Sequence, residues 1–296
     1  MRKRALLLGI HAEPPRWLQI VYMSIVPVIA IAGYYWISSN YLADNPHGKL
    51  LPSFMMMLRR FLVLTSFSGI DFELNWVWGF IPVPDITLIG SLFWGDTAIS
   101  LFLRLLTGLT IASAVGLILG LNIAMFRTLQ FLVLPWVTVL SFVPVVAVMP
   151  ILLIVLGIGE EAKIVLIILG LVFIITLSMY EKTREIAQEL LVNARTLGAT
   201  DLGLTYRVVL PMVIPDLLQT MRLNMGIAWY CLLMGEAIAA QQGLGYRIFL
   251  FRRVGPDMAG ILPYVICITL FAFAIYYLLG CIERRLFPWK TDGEKQ

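Results

Sequence analysis

Few residues in this sequence are of types that carry out chemistry. The two histidines, His11 and His47, lie in polar segments, and no apolar segment holds an H-E-x-x-H sequence or a pair of aspartates. The cysteines Cys231, Cys267 and Cys281 lie in apolar stretches without C-x-x-C spacing, so we expect inert thiols. Catalysis inside a membrane needs several ionisable groups that converge. A membrane-embedded enzyme is therefore disfavoured, and we expect no catalytic residue and no metal site.

A few polar residues remain as candidates within apolar segments. They are Asn122, Asn224 and Glu236, with Arg104 and Arg222 near segment ends. A carboxylate in lipid is costly to leave unpaired, so Glu236 is expected to face a bundle interior or a water-filled cavity. Two roles stay open: it pins a helix end, paired with an arginine such as Arg247 or with backbone donors, or it forms part of a gate. It is not expected to bind an anion, because like charges repel.

Prolines mark a further candidate path. Pro135, Pro144 and Pro150 lie in one apolar segment, and each removes a backbone donor and frees a carbonyl one turn back. The freed carbonyls could line a polar path, or packing could absorb the kinks. We take Glu236, Asn224 and Pro144 as the candidate pore or gate residues.

The composition indicates that membrane-spanning helices position these residues. Of the 296 residues, 60% are hydrophobic and 14% charged, and the mean hydropathy is +0.88. Such values are typical of a membrane protein, and they exclude a cytosolic enzyme, a secreted disulfide scaffold and a disordered adaptor. The net charge of +4 is too small and too dispersed for nucleic-acid binding. The sequence predicts an all-α bundle of about six transmembrane helices at 17–38, 97–126, 129–156, 162–180, 217–240 and 261–282.

The organisation follows from these segments. We predict a cytoplasmic leader at 1–16, the first span at 17–38, and a periplasmic segment at 39–96 with an interfacial helix over 53–64. The transmembrane core is 97–286, with a cytoplasmic loop at 181–216, and the tail is 287–296. In the second span, small residues recur every fourth position, which favours close helix packing: Gly108, Ala112, Gly116, Gly120 and Ala124.

Basic residues set the predicted orientation. Lysine and arginine are about twice as frequent in the loops that this arrangement assigns to the cytoplasm, so both termini are expected there. Arg247, Arg252 and Arg253 then form a basic cluster on the outer face. The cluster could attract an anion or dock acidic patches of another protein, and we favour docking.

The loop at 181–216 is the most informative segment. Residues 181–197 are rich in helix formers, and Gly198 interrupts them. Thr200 can cap a second helix with Asp201 in its first turn, and prolines 211 and 215 close the unit. The pattern predicts a helix–turn–helix elbow with Gly198 at the bend, which a soluble partner could push.

The spacing within this loop resembles a known family. Val192-Asn193-Ala194, three residues, Gly198, nine residues, Val208, one residue and Leu210-Pro211 resemble the EAA loop of bacterial ABC importer permeases. The candidate coupling residues are Ala194, Arg195, Thr196, Leu197, Gly198, Ala199, Thr200, Asp201, Leu210 and Pro211. Leu51-Pro52-Ser53, Gly157-Ile158-Gly159-Glu160 and Gly243-Leu244-Gly245-Tyr246 are similar to further motifs of the nitrate/sulfonate/taurine branch. The family glutamate is Val192 here, and a tryptophan-containing insertion spans about 65–90.

The resemblance implies a type I (MetI-like) permease of the bacterial inner membrane. Such a subunit pairs with a second permease, here expected to be a second copy, and with two cytoplasmic ABC ATPases that receive the elbows. A periplasmic binding protein delivers the solute, expected to be a small anion of the nitrate, sulfonate, taurine or bicarbonate type. No G-x-x-x-x-G-K-[ST] sequence occurs, so ATP and magnesium are expected on the separate ATPase chain and no cofactor on this one.

Two alternatives remain open at this point. One is a secondary transporter driven by an ion gradient, which would need inverted repeats and several buried charges. The other is the same ABC role for a neutral heterocycle such as a thiamine precursor.

Overall fold

The described residues of the computed structural model are 16–44, 50–65, 71–77, 81–87, 92–255 and 258–289. The N-terminal part contains α1 (Arg16–Asp44), α2 (Phe54–Thr65) and an antiparallel hairpin of β1 (Asp71–Val77) and β2 (Ile81–Thr87). The first helix is therefore longer than the predicted span 17–38. Residues 1–15 of the predicted leader and 290–296 of the predicted tail lie outside the described residues.

The rest of the chain is helical. Its elements are α3 (Leu92–Ala98), a first π-helical segment (Ile99–Leu106), α4 (Thr107–Met125), α5 (Arg127–Ser141), α6 (Val145–Leu156), α7 (Glu160–Arg184), α8 (Gln188–Thr196), α9 (Asp201–Gly203), a second π-helical segment (Leu204–Val209), α10 (Leu210–Leu223), α11 (Met225–Ala239), α12 (Leu244–Val254) and α13 (Met258–Leu286). The predicted helical bundle is confirmed, and the hairpin within 65–90 is an addition that the sequence did not predict.

Three helices in the described part of the chain are long and apolar enough to cross a membrane. They are Phe93–Met125, which joins α3, the first π segment and α4, then α7 and α13. They correspond to the predicted spans 97–126, 162–180 and 261–282. Helices extend into both borders of the segment predicted at 39–96, because α1 ends at Asp44 and α3 begins at Leu92.

The predicted span 129–156 is divided into two helices. The chain forms α5 and α6 with a bend of 100° between them, so the pair counts as a fourth crossing only if it is one broken span. Pro144 takes an extended conformation at the start of α6, where its missing N–H costs no helical hydrogen bond. Pro135 and Pro150 stay within helices. The predicted span 217–240 is likewise divided, since Asn224 separates α10 from α11.

Helices α4 and α7 lie side by side and run in the same direction. A Cβ atom added to Gly108 would lie 2.7 Å from Ile167 Cγ2, and one added to Gly116 would lie 2.7 Å from Ile175 Cγ2. The buried stripe of small residues thus lets the two backbones approach closely, as the sequence predicted. The two helices form a closely packed pair within the bundle.

Helix α2 packs against α13, and α1 contacts the segment just before α2. Tyr34 donates a hydrogen bond to the Pro52 carbonyl (2.7 Å), and the Ser38 hydroxyl donates to the Leu51 carbonyl (3.1 Å). One face of α2, including Met57 and Phe61, lines a cavity against α13. The predicted helix over 53–64 is therefore present, and its place at a membrane interface stays a prediction.

Candidate functional site

The loop at 181–216 forms an elbow at one end of the α4–α7 pair, here called the loop end. Helix α7 continues to Arg184, and α8 begins at Gln188, so residues 181–197 do not form one helix. After Gly198 the chain turns back through α9 and the second π segment into α10. The Thr200 hydroxyl accepts a hydrogen bond from the Gly203 N–H at 3.1 Å, which is the cap that the sequence predicted.

Gly198 forms the bend because its backbone conformation suits glycine. Its φ is +90°, in the left-handed region that a Cβ atom disfavours. The Gly198 N–H donates to the Arg195 carbonyl (2.9 Å), and the Ala199 N–H donates to the Ala194 carbonyl (3.1 Å). These bonds satisfy carbonyls at the end of α8 in the manner of a glycine C-cap.

The tip of the elbow exposes apolar side chains. Leu197 is 89% exposed, Leu202 is 62% exposed and Val192 is 57% exposed. Beside them, an exposed ion pair joins Arg195 Nη2 to Asp201 Oδ1 across the bend at 2.9 Å. Large apolar side chains grouped on an exposed projection are typical of a protein interaction site.

The second arm of the elbow contacts the end of α4. Asn122 Nδ2 lies 2.9 Å from the Tyr206 hydroxyl oxygen, and that oxygen lies 3.0 Å from Asn122 Oδ1. Asn122 Nδ2 also donates to the Ile118 carbonyl of its own helix (2.7 Å). Asn122, which the sequence marked as a deep polar residue, therefore connects α4 to the loop.

A buried cluster of charges occupies the opposite end of the bundle, here called the cluster end. Its centre is Arg104, which lies in the first π segment and whose side chain has no exposed surface. Arg104 Nε and Nη2 donate to the two carboxylate oxygens of Glu160, at 2.5 and 2.8 Å. Nη1 donates to Glu236 Oε1 (2.7 Å) and to the Gln242 carbonyl (2.9 Å). Arg104 thus joins the first π segment, the start of α7 and the end of α11.

Glu236 accepts hydrogen bonds from three sides of this cluster. The Ser100 hydroxyl donates to Oε1 at 2.5 Å, and the Gly245 N–H donates to Oε2 at 2.7 Å. A Cβ atom at Gly243 would lie 2.6 Å from Arg104 Nη1, so only glycine leaves room for this arrangement. The buried carboxylate is therefore fully paired, as a buried charge requires.

The remaining members of the cluster are Asp96, Lys163 and Arg247. Arg247 Nε donates to Asp96 Oδ2 at 2.6 Å, and the Gly243 N–H donates to Asp96 Oδ1 at 2.7 Å. Lys163 Nζ donates to Glu160 Oε1 at 2.7 Å. Arg247 was thus wrongly suggested as the partner of Glu236, and its guanidinium is occupied within the cluster. Of the three predicted docking arginines, Arg252 and Arg253 are exposed.

The other candidate gate residues lie outside this cluster. The Asn224 side chain donates to the Thr220 carbonyl of the preceding turn (2.9 Å), and Pro144 caps α6 at the bend. Sequence reasoning missed Asp96, Glu160 and Lys163 and gave Arg104 no role. The signals that could have identified them are the glycine motifs at 157–160 and 243–246, because both adjoin the cluster. No group of histidine, cysteine or acidic side chains in the described ranges could hold a metal ion.

Comparison with known proteins identifies the family. Residues 112–288 match the family described as binding-protein-dependent transport system inner membrane component. The chain belongs to this family. It is the permease subunit of an ABC importer, and the resemblance seen in the loop at 181–216 is confirmed.

Individual relatives agree with this assignment. The chain is 30% identical to the taurine transport system permease protein of Escherichia coli over 73% of its own length and 82% of that protein. It is 29% identical to a putative aliphatic sulfonates transport permease protein of Bacillus subtilis, over 72% and 76% of the two chains. A solved structure of the MetNI methionine ABC transporter in inward-facing conformations shares the fold, with a TM-score of 0.52 at 22% identity, covering 65% of this chain and 93% of that one.

Proposed function

We propose that this permease imports a small organic sulfonate, such as taurine or an alkanesulfonate, through the bacterial inner membrane. The observation that carries the proposal is the similarity to a taurine and to an aliphatic sulfonate permease over more than 70% of the chain. A sulfonate is a permanent anion at neutral pH. The buried cluster has three carboxylates and three cations, all paired with one another, so it offers no free cation to the solute.

The two ends of the bundle bind different protein partners. The loop end lies in the cytoplasm, where each elbow docks on one of two ABC ATPase subunits that hold ATP and magnesium. The cluster end faces the periplasm, and both termini are cytoplasmic. Arg252 and Arg253, which are exposed near the cluster end, contact acidic groups of the periplasmic binding protein. Two copies of the chain enclose the path, and the chain itself catalyses no reaction.

The test is reconstitution of the whole complex. The permease, its ATPase and its binding protein are placed in proteoliposomes, and ATP hydrolysis and solute uptake are measured with taurine, ethanesulfonate, nitrate, bicarbonate and a neutral thiamine precursor. We expect stimulation by the sulfonates alone. Stimulation by the neutral heterocycle alone would refute the sulfonate assignment and leave the importer role intact.

The docking role is tested in the same system. Arg252→Gln and Arg253→Gln together should raise the concentration of binding protein needed for half-maximal stimulation, most strongly at low salt, because exposed charges are screened by ions. An unchanged concentration dependence would place the docking surface elsewhere.

A further inference from the structure

Helix α2 forms an apolar groove where it lies against α13. Phe54, Met57, Leu58 and Phe61 share one face of α2, because positions three and four apart lie on the same side of a helix. These four side chains line a cavity of about 200 Å³, and its other wall comes from residues of α13 between 263 and 270. The lining is apolar throughout, so the groove suits an apolar chain.

The groove is open toward the surroundings of the bundle. Phe54, Ile266 and Leu270 all line it and are exposed. Helix α13 is long and apolar enough to cross a membrane, and the groove begins about 8 Å from its start at Met258, at 1.5 Å per residue. The groove therefore faces lipid in the half of α13 that is nearer the cluster end.

A second apolar cavity adjoins the groove across the ring of Phe54. It has a volume of about 860 Å³ and lies between α1 and the start of α2, and Phe54 lines both cavities. Val28, Ile31 and Leu42 contribute its apolar wall from α1. Two adjoining apolar cavities, separated by one ring, suit a molecule with two apolar chains.

The other side of α2 is basic. Arg59 and Arg60 are both exposed, and α2 itself contains no acidic residue. Within the described part of the chain, Arg59 has no ion-pair partner. A helix that is apolar on one face and basic on the other lies in the membrane interface and attracts anionic headgroups. Arg59 directly follows Leu58 of the groove, so its guanidinium can pair with the headgroup of a molecule whose chains enter the groove.

The groove also adjoins a row of aromatic rings that leads to the charge cluster. Phe61 packs edge-on against Phe93, with ring centroids 6.0 Å apart, and Phe93 packs in the same way against Tyr264 at 5.3 Å. Phe93 lies one helical turn before Asp96 in α3. A molecule seated in the groove therefore supports the packing of α2 and α13 beside the cluster end.

We propose that α2 and α13 form a binding site for one anionic phospholipid. One acyl chain lies in the groove, the other lies in the cavity beside α1, and the phosphate pairs with Arg59. Ordinary contact with lipid needs only an apolar surface, whereas a cation beside the groove adds selectivity for a negative headgroup. A second copy of the chain fits less well, because it would have to bring a carboxylate into the membrane to meet Arg59, which is costly.

The test locates the lipid with a photoactivatable analogue. The complex of permease and ATPase in detergent is mixed with a trace of phosphatidylglycerol that carries a diazirine in an acyl chain. After irradiation and digestion, the labelled peptides are identified by mass spectrometry. Unlabelled phosphatidylglycerol and phosphatidylcholine serve as competitors, and the unfolding temperature of each complex is measured.

We expect labelling within 54–61 and 263–270, which phosphatidylglycerol displaces at a lower concentration than phosphatidylcholine does. Arg59→Gln should raise the concentration of phosphatidylglycerol needed for half displacement about fivefold, the factor for one basic residue near anionic lipid. It should leave the value for phosphatidylcholine unchanged. Arg285→Gln is the charge-matched control, because Arg285 is exposed at the other end of α13, and it should behave as the wild type.

A second variant tests the groove itself. Leu270→Trp places a larger ring in the cavity of about 200 Å³, so labelling within 263–270 should be lost while the unfolding temperature without added lipid is kept. Val265→Trp is the control, because Val265 is exposed on a neighbouring side of the same helix. It should be labelled as the wild type is.

Three results would overturn the lipid site: equal displacement by the two lipids, unchanged displacement in Arg59→Gln, or full labelling of the groove in Leu270→Trp. A smaller number of permease copies per complex in Leu270→Trp would also overturn it, and would assign the groove to a second copy of the chain.

Discussion

At the scale of single residues, Arg104 and Glu236 determine how the cluster end holds together. Glu236 has no exposed side-chain surface, and Ser100, Arg104 and the Gly245 N–H all donate hydrogen bonds to it, as an ionised carboxylate requires. Taking two charges out of water is costly, and removal of one partner of a buried pair leaves the other uncompensated. The geometry therefore favours the pinning role of Glu236 over the gate role.

The substitution Glu236→Gln tests this role. It keeps the shape of the side chain and removes its charge, so we expect a loss of about 3 kcal/mol in stability with coupling preserved. The measurement is thermal unfolding of the purified complex. Asp201→Asn is the control, because its ion pair with Arg195 is exposed and should contribute less than about 1 kcal/mol. Normal stability with hydrolysis uncoupled from the binding protein would favour the gate instead.

Gly198 allows a second prediction at this scale. In Gly198→Val a Cβ-branched residue must adopt a φ of +90°, which costs on the order of 1–3 kcal/mol or turns the tip of the elbow away. Nothing lies within 4 Å of the added Cβ, so the strain is in the backbone alone. We expect normal membrane insertion with weaker stimulation of the ATPase.

Gly226→Val is the matched control for this backbone effect. Gly226 also has open space around an added Cβ, and it lies within a helix. Equal stimulation in both variants and the wild type would show that Gly198 is an ordinary helix end.

At the scale of elements, the α4–α7 pair is the part of the fold that the sequence predicts best. Small residues at every fourth position predict that another helix backbone approaches closely there, and in the structure α7 packs against them. The bend between α5 and α6 could not be predicted, because three prolines in one segment look alike in sequence. Only Pro144 breaks the helix, since Phe142 and Val143 close a turn before it through bonds to the Val139 and Leu140 carbonyls.

The packing of this pair is tested with Gly116→Leu. The added side chain would meet Ile175 at 2.7 Å, and overpacking of this kind costs about 1–3 kcal/mol. The unfolding temperature should fall accordingly. Val115→Leu changes the neighbouring residue on the exposed side of the same helix and should have little effect. Equal unfolding temperatures would mean that the two helices separate easily.

The two parts of the candidate site also differ in how well the sequence predicts them. The elbow could be predicted, because a glycine bend and a threonine cap are local features of adjacent residues. The charge cluster could not, because Arg104, Glu160 and Glu236 are more than 50 positions apart and meet only when the bundle is assembled. Sequence reasoning therefore identified Glu236 as buried and allowed for a backbone donor, which is Gly245, but named Arg247 where the structure places Arg104.

At the scale of the whole molecule, the orientation of the bundle in the membrane determines which of its ends faces the cytoplasm. Ile158 lies in the turn before α7 and is 78% exposed, and Leu197 lies at the tip of the elbow. Single cysteines at these positions should react with a membrane-impermeant thiol reagent on opposite sides. We expect Ile158→Cys to react in intact cells and Leu197→Cys only after permeabilisation. The native cysteines Cys231 and Cys267 are buried, and the partly exposed Cys281 is first replaced by serine to keep the background low.

A reporter fused after Lys290 gives an independent measurement of the same orientation. It should report a cytoplasmic C-terminus. The reverse pattern in the two experiments would place the elbow in the periplasm, away from ATP, and would contradict the proposed assembly.

The charge balance of the cluster has a consequence for the energetics of transport. A membrane potential does work only on net charge that moves, about 2.3 kcal/mol per elementary charge for each 100 mV. The three carboxylates and three cations of the cluster sum to zero, so a shift of the cluster as a unit takes no energy from the potential and gives none to it. Movement of the cluster is therefore independent of the membrane potential. Direct electrical measurement on vesicles should detect the charge of the solute alone.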